Sequence, residues 1–334
     1  MSSEERRALR IALSFTASFV AAELMRADLQ LTFLAPLAAA ALACGPAVAA
    51  PVLLALPILA WLLVASAGLA TQLLITKPLV LMLFDLWVFW VGFSVLRKPR
   101  VAVVGLLILL VFAIVPQTLI KAPELDADLA RWFATNIALA AATDWVMRRL
   151  LPGTAAPAAA ASVPFLSPLA AACALLAAVV VTVAMQLPAP GAVAVGIVIV
   201  LRADGAEAGG VIRARLLAAL FGGAVALAVW EILWVAPDLP VLAITVLCAA
   251  WLFSRRIAEG GPDAIIAQKS LNVLAILLGE GFSVFYEDAD DRFGTRLAGV
   301  LLGLLYVGLI VWLTRRGDDG GHGGAGRHGG AIAP

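Results

Sequence analysis

Uncharged apolar stretches recur from one end of this chain to the other, separated by short charged segments, and they decide what it can fold into. They fall at 9–25, 29–45, 49–72, 79–96, 101–119, 131–147, 166–186, 188–201, 214–235, 239–254, 264–285 and 293–314. With 63% hydrophobic residues and a mean hydropathy of +1.04, a soluble fold would leave large apolar areas facing water. Lipid must therefore be part of the solvent. A helix of ~20 residues crosses the hydrocarbon core, so the chain supplies about twelve spans and leaves almost nothing for a soluble domain. The second and eighth stretches are short and rich in Ala, Gly and Pro, and read as half-helices or re-entrant segments. The sequence expectation is an all-α polytopic membrane protein.

Basic residues set the orientation. With the N-terminus inside and twelve spans, Arg6-Arg7, Arg97-Lys98-x-Arg100, Arg148-Arg149, Arg213-x-Arg215, Arg255-Arg256 and Arg315-Arg316 all fall on the cytoplasmic side. The opposite side carries acidic loops, Glu124, Asp126 and Asp128 in one and Glu287, Asp288, Asp290 and Asp291 in another. The chain also repeats itself. Asp126-Ala127-Asp128, Arg131-Trp132-Phe133, a span and Arg148-Arg149 are matched by Asp288-Ala289-Asp290, Arg292-Phe293, a span and Arg315-Arg316. The matching features lie about 160 residues apart, which predicts two parallel six-helix repeats related by an axis along the membrane normal. Residues 1–150 form the first repeat, 151–165 an Ala/Pro-rich cytoplasmic linker and 166–316 the second repeat. Residues 317–334 form a Gly-rich tail expected to be disordered. The first apolar segment lacks a convincing small-residue cleavage site and reads as a retained helix.

Several classes of chemistry are missing from the sequence. The two histidines, His322 and His328, both lie in the tail, leaving none for metal or acid–base work inside the apolar portion. Cys44, Cys173 and Cys248 each sit in an apolar stretch and read as buried packing residues. There is no Gly-x4-Gly-Lys-Ser/Thr phosphate loop, no His-Glu-x2-His, no Cys-x2-Cys and no Ser/His/Asp set. Neither an enzyme nor a metal or cofactor protein is expected, and nothing in the charge pattern points to nucleic acid.

Ionisable groups inside spans are the functional candidates, because each costs ~2.5–3.5 kcal/mol at a helix centre on insertion scales. Lys269, Asn272, Ile276 and Glu280 recur at i, i+3, i+7 and i+11, one stripe of a helix. Lys269 and Asn272 are the expected substrate contacts, Lys269 attracting an anionic group; the alternative is that Lys269 snorkels to headgroups. Glu280 lies ~16 Å further along, nearer the outer mouth, and is a candidate proton-handling group. Asp85, between Phe84 and Trp87-x2-Trp90, is the other; its alternative is a structural contact with a basic residue of a neighbouring helix, Lys269 among them. Asp144 with Arg148 at i+4 reads as a surface ion pair, Glu231 between Trp230 and Trp234 as an interfacial carboxylate, and Glu23 as a helix-end group. Pro36, Pro51, Pro57 and Pro116 are read as interruptions of spans that free backbone groups.

Four phrases carry a resemblance. Arg7-Ala8-Leu9-Arg10-Ile11-Ala12 opens the first span, and Phe33-Leu34-Ala35-Pro36-Leu37 lies in the second. Arg213-x-Arg215-Leu216 with Gly222-Gly223, and Arg292-x4-Leu297-Ala298-Gly299, repeat a basic-then-glycine pattern. The chain resembles the fusaric-acid-resistance and aromatic-acid-exporter group of bacterial inner-membrane proteins over roughly residues 5–315. Larger members carry a sizeable cytoplasmic domain between the halves; the short linker here is similar to the compact branch. The resemblance implies efflux of small, often aromatic, carboxylic acids, a periplasmic adaptor partner and a homodimer. The expected function is therefore secondary, proton-coupled export of a small organic acid across the inner membrane. The alternative is a non-transporting scaffold or binding subunit of an envelope complex.

Overall fold

The computed structural model describes residues 2–25, 32–45, 48–98, 101–122, 125–152, 166–184 and 208–281, with Leu305. These residues form ten helices and no strand. In chain order they are α1 (Ser3–Leu24), α2 (Leu34–Cys44), α3 (Ala50–Leu74), α4 (Pro78–Leu96) and α5 (Ala102–Lys121). Then come α6 (Asp126–Leu150), α7 (Pro168–Ala184), α8 (Ala208–Val235), α9 (Leu239–Glu259) and α10 (Pro262–Gly281). Five of them, α3, α4, α5, α8 and α9, are long and apolar enough to cross a membrane. Their outward faces carry Leu54, Ile58 and Trp61 on α3, Trp87 and Trp90 on α4, and Phe221 and Trp234 on α8. Such faces require an apolar medium, so the chain is a multi-pass membrane protein.

Local chemistry explains the helix ends. Ser2 and Glu5 form a capping box at α1, with the Ser2 hydroxyl accepting from the Glu5 amide at 3.1 Å and the Glu5 carboxylate accepting from the Ser2 amide at 2.7 Å. Proline occupies the first turns of α3, α4 and α9, where its missing N–H has no helical partner to lose. Gly260 and Gly261, at φ of 79° and 78°, make the turn between α9 and α10.

The elements differ from the sequence expectation in three ways. The second apolar stretch yields only the 11 residues of α2, about 16 Å of helix, which cannot span a bilayer alone. Of the four prolines expected to interrupt spans, Pro57 and Pro116 lie inside helices, whereas Pro51 is in the first turn of α3 and Pro36 in the first turn of α2, where they interrupt nothing. Of the cysteines, Cys44 alone is buried, whereas Cys173 and Cys248 are exposed, and all three are free thiols. The expected spans at 188–201 and 293–314, the linker beyond residue 152 and the tail at 317–334 lie outside the described residues.

Among the described residues, packing is dominated by two large cores, with a small third cluster of Leu53, Leu56 and Ala141. The first gathers Val64 of α3, Phe89 and Phe93 of α4, Leu109 and Phe112 of α5, Phe133 of α6 and Leu175 of α7. The second gathers Phe15 and Phe19 of α1, Val229 of α8, Val246 and Phe253 of α9, and Leu271 and Leu274 of α10. Short α2 touches both, with Leu34 in the first core and Ala40 and Ala43 in the second. Helix α1 packs most extensively on α9, far away in sequence, and α7 packs on α4. Arg97, at the end of α4, donates to the Leu166 carbonyl just before α7 at 2.5 Å and holds that second long-range contact.

Candidate functional site

Helices α1, α2 and α6 pack mutually, and their three ends enclose a buried group of charges. Arg148, on the last turn of α6, donates from Nε to Asp144 Oδ2 at 2.7 Å. Its Nη2 donates to the Leu42 carbonyl at 2.5 Å, at the C-terminal end of α2, with the Gly45 carbonyl 3.5 Å away. The final carbonyls of a helix have no intrahelical donor, and the negative end of its dipole favours a cation there. Asp144 is fully buried, at 0% exposure, so the pair is not the solvated surface pair expected from its spacing. Arg10 of α1 enters the same cluster at 2% exposure and interacts electrostatically with Asp144, Arg148 and Arg7. Its Nε and Nη2 find no acceptor, nor does the buried Nε of Arg7, and Asp144 Oδ1 finds no donor. Arg148 thus takes the Asp144 carboxylate, while Arg10 and Arg7 lie nearby with buried donors unmet.

Asp85 is buried in α4 at 6% exposure, as its sequence context implies. The aromatic neighbours that suggested this are largely elsewhere, however. Trp87 and Trp90 point outward, at 57% and 44% exposure, while Leu81, Val88 and Phe89 share the buried face with Asp85. The reason is the helix period: i+2 and i+5 lie across the helix, and i−4, i+3 and i+4 lie beside it. Its Oδ1 has no hydrogen-bond partner, and no cation pairs with it among the described residues. Lys269 and Asn272 are half-buried on α10, as is Ile276, whereas Ser270, Leu271, Leu274 and Ala275 point into the core. The polar stripe therefore runs along the margin of α10. Asp85 and Lys269 are not brought together, because α4 packs on α3, α5 and α7 while α10 packs on α2, α8 and α9. The side chain of Glu280 lies outside the described residues.

At the far end of α1, half-buried Glu23 lies beside Thr32. The Thr32 hydroxyl donates to the Gly279 carbonyl of α10 at 2.5 Å. Glu231 is exposed on α8, in keeping with an interfacial position, and the Trp230 and Trp234 rings lie 6.4 Å apart.

No family model, curated protein or solved structure matches the chain. Sequence reasoning passed over Arg10 and misplaced Asp144. A signal was present: Arg7, Arg10, Ser14 and Ser18 recur at i, i+3, i+7 and i+11, the same polar stripe that drew attention to Lys269, and all but Arg7 are buried.

Proposed function

We propose that the chain is a secondary transporter of the bacterial inner membrane that exports small organic acids, aromatic carboxylic acids among them, in exchange for protons. The observation that carries this reading is Asp85, a carboxyl in the core of a lipid-facing helix with an unpartnered oxygen and, among the described residues, no paired cation. A carboxyl held this way for structure alone would be expected to have a partner; one that takes up and releases a proton must do without a fixed one. Lys269 and Asn272 contact the substrate, and Asp85 and Glu280 handle protons. The residue phrases shared with the fusaric-acid-resistance group suggest the substrate class, a periplasmic adaptor and a dimer.

A two-repeat plan with cytoplasmic termini, in which α2 is a short half-helix beside the full spans, belongs to the same proposal. It is supported by reciprocal packing: the first helix of residues 1–150 lies on α9, the fourth helix expected of the second half, and the first helix of that half, α7, lies on α4. The trio α3, α4 and α5 packs together, as does the trio α8, α9 and α10.

Reconstitution in proteoliposomes tests the reading. Flux of benzoate, cinnamate and short aliphatic acids is followed under an imposed pH gradient. The wild type should accumulate at least one acid, Lys269→Ala should raise its KM, and Asp85→Asn should abolish gradient-driven accumulation. Normal transport by both variants would remove the site assignment. Folded wild-type protein that moves no acid would favour the scaffold alternative.

A further inference from the structure

The charge cluster enclosed by α1, α2 and α6 has more cations than its own carboxylate can satisfy. Arg148 uses Asp144 and the α2 carbonyl for its two short hydrogen bonds. Arg10 is left nine-tenths buried with two donors lacking an acceptor, and these are Nε and Nη2. Those two N–H groups form one edge of the guanidinium fork and point in parallel, the arrangement that receives both oxygens of a carboxylate or two oxygens of a phosphate. A halide offers that edge a single acceptor atom, whereas an oxyanion offers one oxygen to each donor. Leaving such donors and their charge desolvated is costly, and an anion would offset the cost. The buried Nε of Arg7, one helical turn before Arg10, supplies a further donor.

We infer that Arg7 and Arg10, backed by Arg148, form a buried site for one small oxyanion at the N-terminal end of the bundle. Its ligand is a carboxylate or phosphate group, supplied by a free acid or by the headgroup of an anionic lipid. Binding is independent of transport, so this inference stands or fails separately from the exporter reading.

Thermal melting of the delipidated full chain in detergent provides the test. Sodium benzoate and sodium phosphate are titrated against sodium chloride at matched ionic strength. In parallel, nanodiscs of phosphatidylcholine are compared with nanodiscs containing phosphatidylglycerol. A free-acid ligand raises the midpoint by several degrees beyond the chloride control; a lipid ligand raises it only with phosphatidylglycerol. In either case Arg10→Gln weakens the effect by about tenfold or more in apparent Kd. Arg7→Gln, at the half-buried position, weakens it less and serves if Arg10→Gln does not fold. Asp144→Asn, which removes the competing negative charge, tightens it. The inference is overturned if no oxyanion, free or lipid-borne, exceeds the control. It is equally overturned if the effect survives in both arginine variants, or if Asp144→Asn gains no affinity because Arg10 and Asp144 simply pair with each other.

Discussion

Replacing Asp85 by asparagine separates the two roles that a buried carboxyl can play. The amide matches the carboxyl in shape and brings no charge into the apolar core. Stability should stay within about 1 kcal/mol of wild type or rise, read by chemical denaturation in mixed micelles, while gradient-driven flux disappears. A large loss of stability would instead make Asp85 structural. Asp144 should behave in the opposite way. Asp144→Ala strips Arg148 of its carboxylate and Arg10 of the nearby negative charge, and should cost about 3–5 kcal/mol by the same assay. The two residues also show what a sequence discloses about burial. Asp85 stands alone amid apolar residues, so no fold that hides its helix can keep it wet. Arg10 and Asp144 lie near the ends of their helices, where charges are ordinarily solvated. Only the convergence of α1, α2 and α6 buries them, and that convergence depends on contacts between residues more than a hundred positions apart.

Close helix crossings at glycine give the element scale its sharpest expectation. A Cβ on Gly222 of α8 would lie 2.6 Å from the Ser270 carbonyl oxygen of α10 and 2.9 Å from the Val273 side chain, whereas one on Gly223 meets nothing nearer than 3.9 Å. Gly222→Ala should therefore destabilise the protein by roughly 1–3 kcal/mol through forced separation of α8 and α10. Gly223→Ala should be neutral or stabilising, since alanine is the better helix former. Thermal melting of the two variants side by side checks this, and equal effects would contradict the crossing. Gly105 makes a comparable approach, its Cβ falling 2.6 Å from the Leu96 amide nitrogen of α4. The glycine pair was visible in the sequence; which member matters was not, because that depends on the rotation of α8 against its neighbour. Helix existence was equally legible from apolar length. The short extent of α2 was suggested by its Ala-rich composition, but its two ends are fixed by distant groups, Gly279 beyond the first and Arg148 beyond the last.

At the scale of the molecule, neither core can be completed by one half of the chain. The first core takes Leu175 from α7 into the company of α3 to α6, and the second takes Phe15 and Phe19 from α1 into the company of α8 to α10. Residues 1–150 and 151–334, produced as separate polypeptides, should each aggregate or be degraded alone and should co-purify when made together. A monodisperse, folded half would contradict the exchange of first helices. The repeats in the sequence hinted at two similar halves, yet nothing in the local pattern tells a helix which half to join.

That exchange also fixes an order of events during synthesis. Helix α1 leaves the ribosome among the first segments, and the α9 surface that covers Phe15 and Phe19 is made more than two hundred residues later. At typical elongation rates of ~5–20 residues per second, the newborn helix waits on the order of 10–40 s for its mate. Throughout that interval its aromatic face must be sheltered by lipid or by the insertion machinery, and its arginines by water or headgroups. A nascent chain stalled before residue 239 should therefore leave α1 open to crosslinking with whatever guards it, and release of the stall should end that exposure.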